Sequence, residues 1–174
     1  MSRIHASSFM EVDMKRLLVT LSVCLIAAGI VFAQSPGSKS DPFIGTWKIN
    51  LEKTQQFTGQ KPSYEVITIK VDDGVQDYKV EISEGNAPRR KMGYTSKYNE
   101  IKWVPYMNYT AGTKNMDIMT IKVDDRTHYR VIRRNDGTPG GIMMRRMADD
   151  GKSYSSTDLD VNGKTNYVRV FEKQ

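Results

Sequence analysis

The chain is predicted to fold as an all-β protein, an antiparallel up-and-down β-barrel of about eight to ten strands that follows an N-terminal signal segment. Three features carry that prediction. Apolar residues recur with period two between Ile44 and Phe171, the pattern of strands that bury one face. Glycine-containing turn dipeptides break the alternation at roughly the 8 to 12 residue spacing typical of sandwiches and barrels. No stretch of about ten or more residues shows a helical period.

The elements follow in chain order. Leu17 to Ala33 (LLVTLSVCLIAAGIVFA) is almost wholly apolar and is preceded by Met14-Lys15-Arg16. A short basic region, an apolar run and a small residue before Gln34 together read as a secretory signal peptide, so residues 1–33 are taken as a leader. The run is short for a bilayer core that needs roughly 20 apolar residues, so no stable membrane span is expected after cleavage. The expected location is secreted or periplasmic. Met1 to Asp13 add nothing to the signal, and Met14 fits as the true start. The single cysteine, Cys24, falls inside the apolar run and leaves a mature chain without disulfides. Residues 34–40 (QSPGSKS) are small and polar and read as a flexible tether, and 41–174 form the barrel domain.

Within that domain Ile67, Ile69 and Val71 alternate with Thr68 and Lys70, and Tyr78, Val80 and Ile82 alternate with Lys79, Glu81 and Ser83. Met92, Tyr94 and Tyr98 share a phase, and Met119, Ile121 and Val123 read as another buried face. The run ITIKVDD at Ile67 to Asp73 returns as MTIKVDD at Met119 to Asp125, which reads as two similar hairpin arms. Turns are expected at Asp73-Gly74, Glu84-Gly85-Asn86, Asp136-Gly137, Asp150-Gly151 and Asn162-Gly163, where the residue types tolerate positive φ. Asn99 to Met116 is the least regular segment and reads as a short strand with an aromatic loop. A chain of this kind must hide its sheet edges, and closure into a barrel does so.

Charge narrows the functional classes. Arg3, Lys15, Arg16, Glu11 and Asp13 precede Gln34, which leaves 23 basic against 18 acidic residues in the remainder. That mild surplus is spread along the chain among acidic residues rather than gathered in a stripe, so nucleic acid is not an expected partner. No cofactor is implied and no catalytic group stands out, so the chain is not read as an enzyme. His128 is the one histidine after the leader, there is no cysteine to complete the usual zinc site, and no serine sits in a GxSxG elbow. His128 is expected on a strand, facing water. Asp158-Leu159-Asp160-Val161-Asn162-Gly163 opens like a calcium loop, but the twelfth position, which needs a carboxylate, is Arg169; a hairpin turn explains Asn162-Gly163 better. Paired arginines at Arg145-Arg146 must point to opposite faces of a strand. An arginine among methionines inside a cavity would suit an anionic amphiphile, while an arginine stem laid over apolar surface is the structural alternative.

The two ends of the domain add a resemblance. Phe43-Ile44-Gly45-Thr46-Trp47-Lys48-Ile49 resembles the first strand of the calycin superfamily, the lipocalins and fatty-acid-binding proteins, with their Gly-x-Trp signature. Arg169-Val170-Phe171-Glu172-Lys173 is similar to the last strand of the fatty-acid-binding branch. The chain also resembles small exported bacterial proteins of lipocalin-like type. The resemblance implies that Gly45, Trp47 and Arg169 close the barrel. In the fatty-acid-binding branch it implies a ligand carboxylate held at Arg169 and Phe171, although Phe171 lacks the hydroxyl that branch uses. In the lipocalin branch it implies Arg169 packed over Trp47. The segment Leu51 to Ser63 has no room for the helical lid of fatty-acid-binding proteins. The expected ligand-facing residues are Arg169, Phe171, Tyr167, Arg145, Met144 and Tyr129. The expected function is non-catalytic binding of a small hydrophobic or amphiphilic molecule; the other reading is a structural or protein-interaction β-domain with a solid core.

Overall fold

Turn chemistry and alternation together produce ten strands, each antiparallel to the next. In a computed structural model that describes residues 40–174, they are β1 (Gly45–Gln56), β2 (Pro62–Asp72), β3 (Val75–Glu84), β4 (Arg90–Lys97), β5 (Val104–Asn108), β6 (Thr113–Asp124), β7 (Thr127–Arg133), β8 (Pro139–Met147), β9 (Ser153–Leu159) and β10 (Thr165–Lys173). β1 pairs with both β2 and β10, so the sheet closes on itself as a barrel. No helix occurs among the described residues. The expected leader and nearly all of the expected tether lie outside them. Each of the five turn signals falls at a strand junction; at the tightest, Asp73 and Gly74 both take positive φ, 44° and 73°, as a two-residue hairpin requires.

Two local features shape the wall. β1 pairs with β2 only from Gly45↔Ile69 to Lys48↔Val66 and then swings away. Its register against β10 slips between Asn50 and Gln55. There the Thr54 hydroxyl donates to the Asn50 carbonyl at 2.7 Å and accepts the Val170 amide at 3.2 Å, which stands in for the lost ladder bonds. β5 is short and meets β4 only at Met92↔Asn108 and Gly93↔Met107. Past it, β4 leans on β6 through a 2.8 Å hydrogen bond between the Ser96 and Thr120 hydroxyls. Gly93 is required here, because a Cβ would run into the Tyr78 carbonyl oxygen and come within 3.0 Å of the Tyr109 ring.

The barrel interior differs from end to end. One end is closed by the turn Asp41–Phe43, which crosses beneath the strands: Asp41 Oδ1 accepts the Phe43 amide at 2.9 Å, and Trp47 Nε1 donates to the Phe43 carbonyl at 2.8 Å. Phe43 and Trp47 are both fully buried, and Tyr154 meets each edge-on, at 5.4 and 4.9 Å between centroids. Phe171 stacks on the same tyrosine at 5.0 Å. This floor is a packed aromatic core.

The structure corrects three expectations. His128 is buried rather than facing water: Phe43 covers it at 4.3 Å, and Tyr98 Oη lies 3.2 Å from its Nδ1. On β6 the inward residues are Ile118 and Thr120, so Met119, Ile121 and Val123 lie on the outer face. The cation over the Trp47 ring is Lys173 at 5.3 Å, not Arg169.

Candidate ligand cavity

Above the aromatic floor the interior opens into a cavity of about 580 Å³. It faces the end of the barrel formed by the β3–β4, β5–β6 and β7–β8 turns, where Arg90, Asn115, Arg134 and Asn135 stand at its rim. The strand period places its apolar wall: Val80 and Ile82 on β3, Met92 on β4, Met116 on β6, Ile132 on β7 and Met143 on β8. Small-molecule sites commonly fall in the range of about 300 to 1,000 Å³ with mostly apolar walls and a few polar groups.

The polar lining includes buried charged groups. Arg130, on β7, is 3% exposed and lines the cavity base. Its guanidinium lies over the rings of Tyr78, Tyr94 and Tyr106 at 4.6, 4.9 and 5.2 Å. One nitrogen donates to the Tyr94 hydroxyl at 3.3 Å, and Nε has no hydrogen-bond partner. Immediately below, Arg145 on β8 donates to the same hydroxyl at 2.7 Å, and its Nη1 is also unpartnered. Tyr94 in turn donates to Gln76 Oε1 at 2.7 Å, and the Gln76 amide donates to Tyr98, so a polar file runs from the cavity base to His128 at the floor.

Across the cavity, Arg169 on β10 donates to Glu65 on β2 at 2.8 Å and lies 4.0 Å over the Tyr167 ring. Burial pushes the Glu65 carboxyl up from its ordinary range, and the Arg169 charge opposes that shift. At the same wall Asp158 accepts a 2.8 Å hydrogen bond from Asn166, with burial again raising its pKa. At the rim Arg90 is paired with Glu84 at 2.7 Å, and Arg134 donates to the Pro139 carbonyl. Among the described residues, three arginines are buried against two carboxylates, Glu65 beside Arg169 and Asp41 at the floor. Neither Arg130 nor Arg145 has a carboxylate within 4 Å, and Glu65 and Asp158 act on Arg130 only from farther away. Uncompensated buried cations are costly, and an interior that retains them is poised to receive an anion.

Of the expected ligand-facing residues, Arg169 and Tyr167 do line the cavity. Arg145 lies beneath it, in the file that ends on Tyr94, and Phe171 belongs to the aromatic floor. Met144 and Tyr129 are paired with each other on the outer face, because Arg145 and Arg130 next to them point inward. Their inward neighbours, Met143 and Arg130, hold the places the sequence assigned to them. Gly45 and Trp47 pair with β2 at Ile69 and Ile67, and Trp47 also pairs with Lys173 on β10. Arg130 and Glu65 escaped the sequence reading. Glu65 stands in phase with the inward Ile67 and Ile69, whereas Arg130 shares the phase of His128, which was expected to face water.

A closed ten-stranded antiparallel barrel of this form, with its first and last strands paired, has the calycin fold in its fatty-acid-binding-protein-like form. A mutant of the fluorescent protein UnaG matches with a TM-score of 0.53 and 15% identity, over 76% of this chain and 96% of that one. The fatty acid transporter REP1-NXSQ matches with a TM-score of 0.49 and 13% identity, over 75% of this chain and 95% of that one. No protein-family model and no curated protein sequence matches the chain.

Proposed function

We propose that this protein is exported and binds, without chemistry, one small and mostly apolar molecule that carries an anionic group. The observation that carries this reading is Arg130, a buried guanidinium with a free nitrogen at the base of an apolar-walled cavity of about 580 Å³. A carboxylate is the natural complement of a guanidinium, and a dry site strengthens the pairing. The methionines of the wall suit a flexible chain, because an unbranched thioether adapts its shape. Export rests on the apolar run Leu17 to Ala33 with its basic lead. Binding is favoured over catalysis because the cavity's acids are already engaged, Glu65 with Arg169 and Asp158 with Asn166, and the one interior histidine sits at the floor beneath it.

Native mass spectrometry of the domain from Asp41 onward, followed by organic extraction, tests the reading, together with calorimetric titration of laurate. A bound or titratable anionic amphiphile is the expected result. A domain that is empty as purified and takes up neither laurate nor dodecanol would favour the solid-core interaction module instead.

A further inference from the structure

Two cavity-lining arginines are buried and each keeps an unpartnered Nε, yet only Arg130 is without a carboxylate within 4 Å. Arg169 is already engaged: Glu65 approaches to 2.8 Å from β2, on the far side of β1, and reaches it because β1 has left the β2 ladder after Lys48. Both side chains are nearly excluded from water, at 9% and 7% exposure. An incoming carboxylate that reached the unpartnered Arg169 Nε would sit against the Glu65 carboxylate in the same dry wall, and like charges so placed oppose one another. Arg130 carries no such obstacle. Its direct contacts are three neutral aromatic rings and the Tyr94 hydroxyl, and Glu65 and Asp158 act on it only from beyond 4 Å. The rim cations do not compete, because Arg90 is paired and partly exposed and Arg134 is exposed, so solvent screens both.

We propose that Glu65 is the specificity-determining residue of this cavity: it is a built-in carboxylate that masks Arg169 and directs the ligand's single anionic group to Arg130. This deepens the binding reading above and rests on it. The ligand class is an alkyl or similarly apolar monoanion. The end-strand arginine, which the resemblance to fatty-acid-binding proteins marks as the headgroup residue, is thereby neutralised in this chain.

The test compares laurate with dodecanol by calorimetry, so that the charge preference is read as a ratio of affinities. In the wild type laurate is expected to bind at least tenfold more tightly than dodecanol. Arg130→Met is expected to bring the ratio close to one. Glu65→Gln in the Arg130→Met background is expected to restore a preference of at least tenfold, because the amide can no longer neutralise Arg169. Restoration of charge preference is a readout that a purely structural role for Glu65 would not move. A folded double variant that still fails to discriminate overturns the proposal, as does an Arg130→Met variant that keeps the full wild-type ratio. Should the double variant not fold, arginine side-chain NMR of the wild type decides: laurate should shift the Arg130 Nε–H resonance, and a shift confined to Arg169 overturns the assignment. Failure of the wild type to bind either compound would instead remove the binding reading itself, a result distinguishable from loss of discrimination.

Discussion

Arg145 ends on the Tyr94 hydroxyl, donating to it at 2.7 Å from a strand on the other side of the barrel, and the oxygen that receives it also receives Arg130. Two buried guanidiniums thus share one neutral acceptor. Tyr94→Phe removes that acceptor and should cost about 2 to 3 kcal/mol, since it leaves charged donors buried without a partner. Arg145→Met removes a buried cation that no carboxylate offsets, only the Tyr94 hydroxyl and the Tyr78 ring, and should be neutral, or stabilising by about 1 to 2 kcal/mol. Urea unfolding of the two variants measures both, and the opposite order would contradict the charge balance described for the interior.

The buried pair predicts a different pattern. Arg169→Ala strands the Glu65 carboxylate in the wall and should cost about 3 to 5 kcal/mol, whereas replacing both members by Met and Leu should leave stability within about 1 kcal/mol of wild type or raise it. A double-mutant cycle with Glu65 gives the coupling directly.

At the floor, Trp47 is fully buried between Phe43 and Tyr154 and spends its indole N–H on the Phe43 carbonyl. Trp47→Ala should destabilise by about 3 to 5 kcal/mol through lost transfer energy and the cavity left behind. Thermal melts followed by near-ultraviolet circular dichroism would record both the loss and the loosening of the aromatic cluster.

His128 links stability to acid. Burial, and then the positive charges of Arg145 and Lys122, hold its pKa down at about 3, while the unfolded chain should titrate near about 6.5. Between those values the unfolded state binds a proton that the folded state refuses, so the contribution of His128 is fully present above about pH 6.5 and is lost as pH falls toward about 3. Stability measured by urea at successive pH values should fall less steeply over that window for His128→Gln than for wild type. Parallel slopes would show that the histidine does not carry the effect.

Much of the barrel could be read before any coordinates. The alternation of β2 and β3, with Ile67, Ile69, Tyr78, Val80 and Ile82 inward, and the turns at the glycine dipeptides follow the rule that one face is apolar and buried. The twin segments mark where the rule stops. ITIKVDD in β2 and MTIKVDD in β6 are nearly identical, yet they present opposite faces: Thr68 points out, whereas its counterpart Thr120 is buried against Ser96. One residue of register exchanges every side chain between the two faces, and the choice here is made by partners distant in sequence. Lys122 reaches Asp41, and Thr120 bridges the gap left by short β5. β7 obeys the same inversion, with His128 and Arg130 inward and Tyr129 outward. A polar interior defeats a hydrophobicity pattern, because the residues that define the cavity are those the pattern sends to solvent.

The closing of the seam has a practical corollary. Gln174 N donates to the Thr46 carbonyl at 2.9 Å, and Asp41 to Phe43 cross the floor, so both ends of the described barrel leave it opposite the rim of Arg90, Arg134 and Asn135. Fastened by either end, to a sensor chip, a fused partner or a cell envelope, the barrel would stand like a cup on its base, with the entrance free to meet whatever diffuses past.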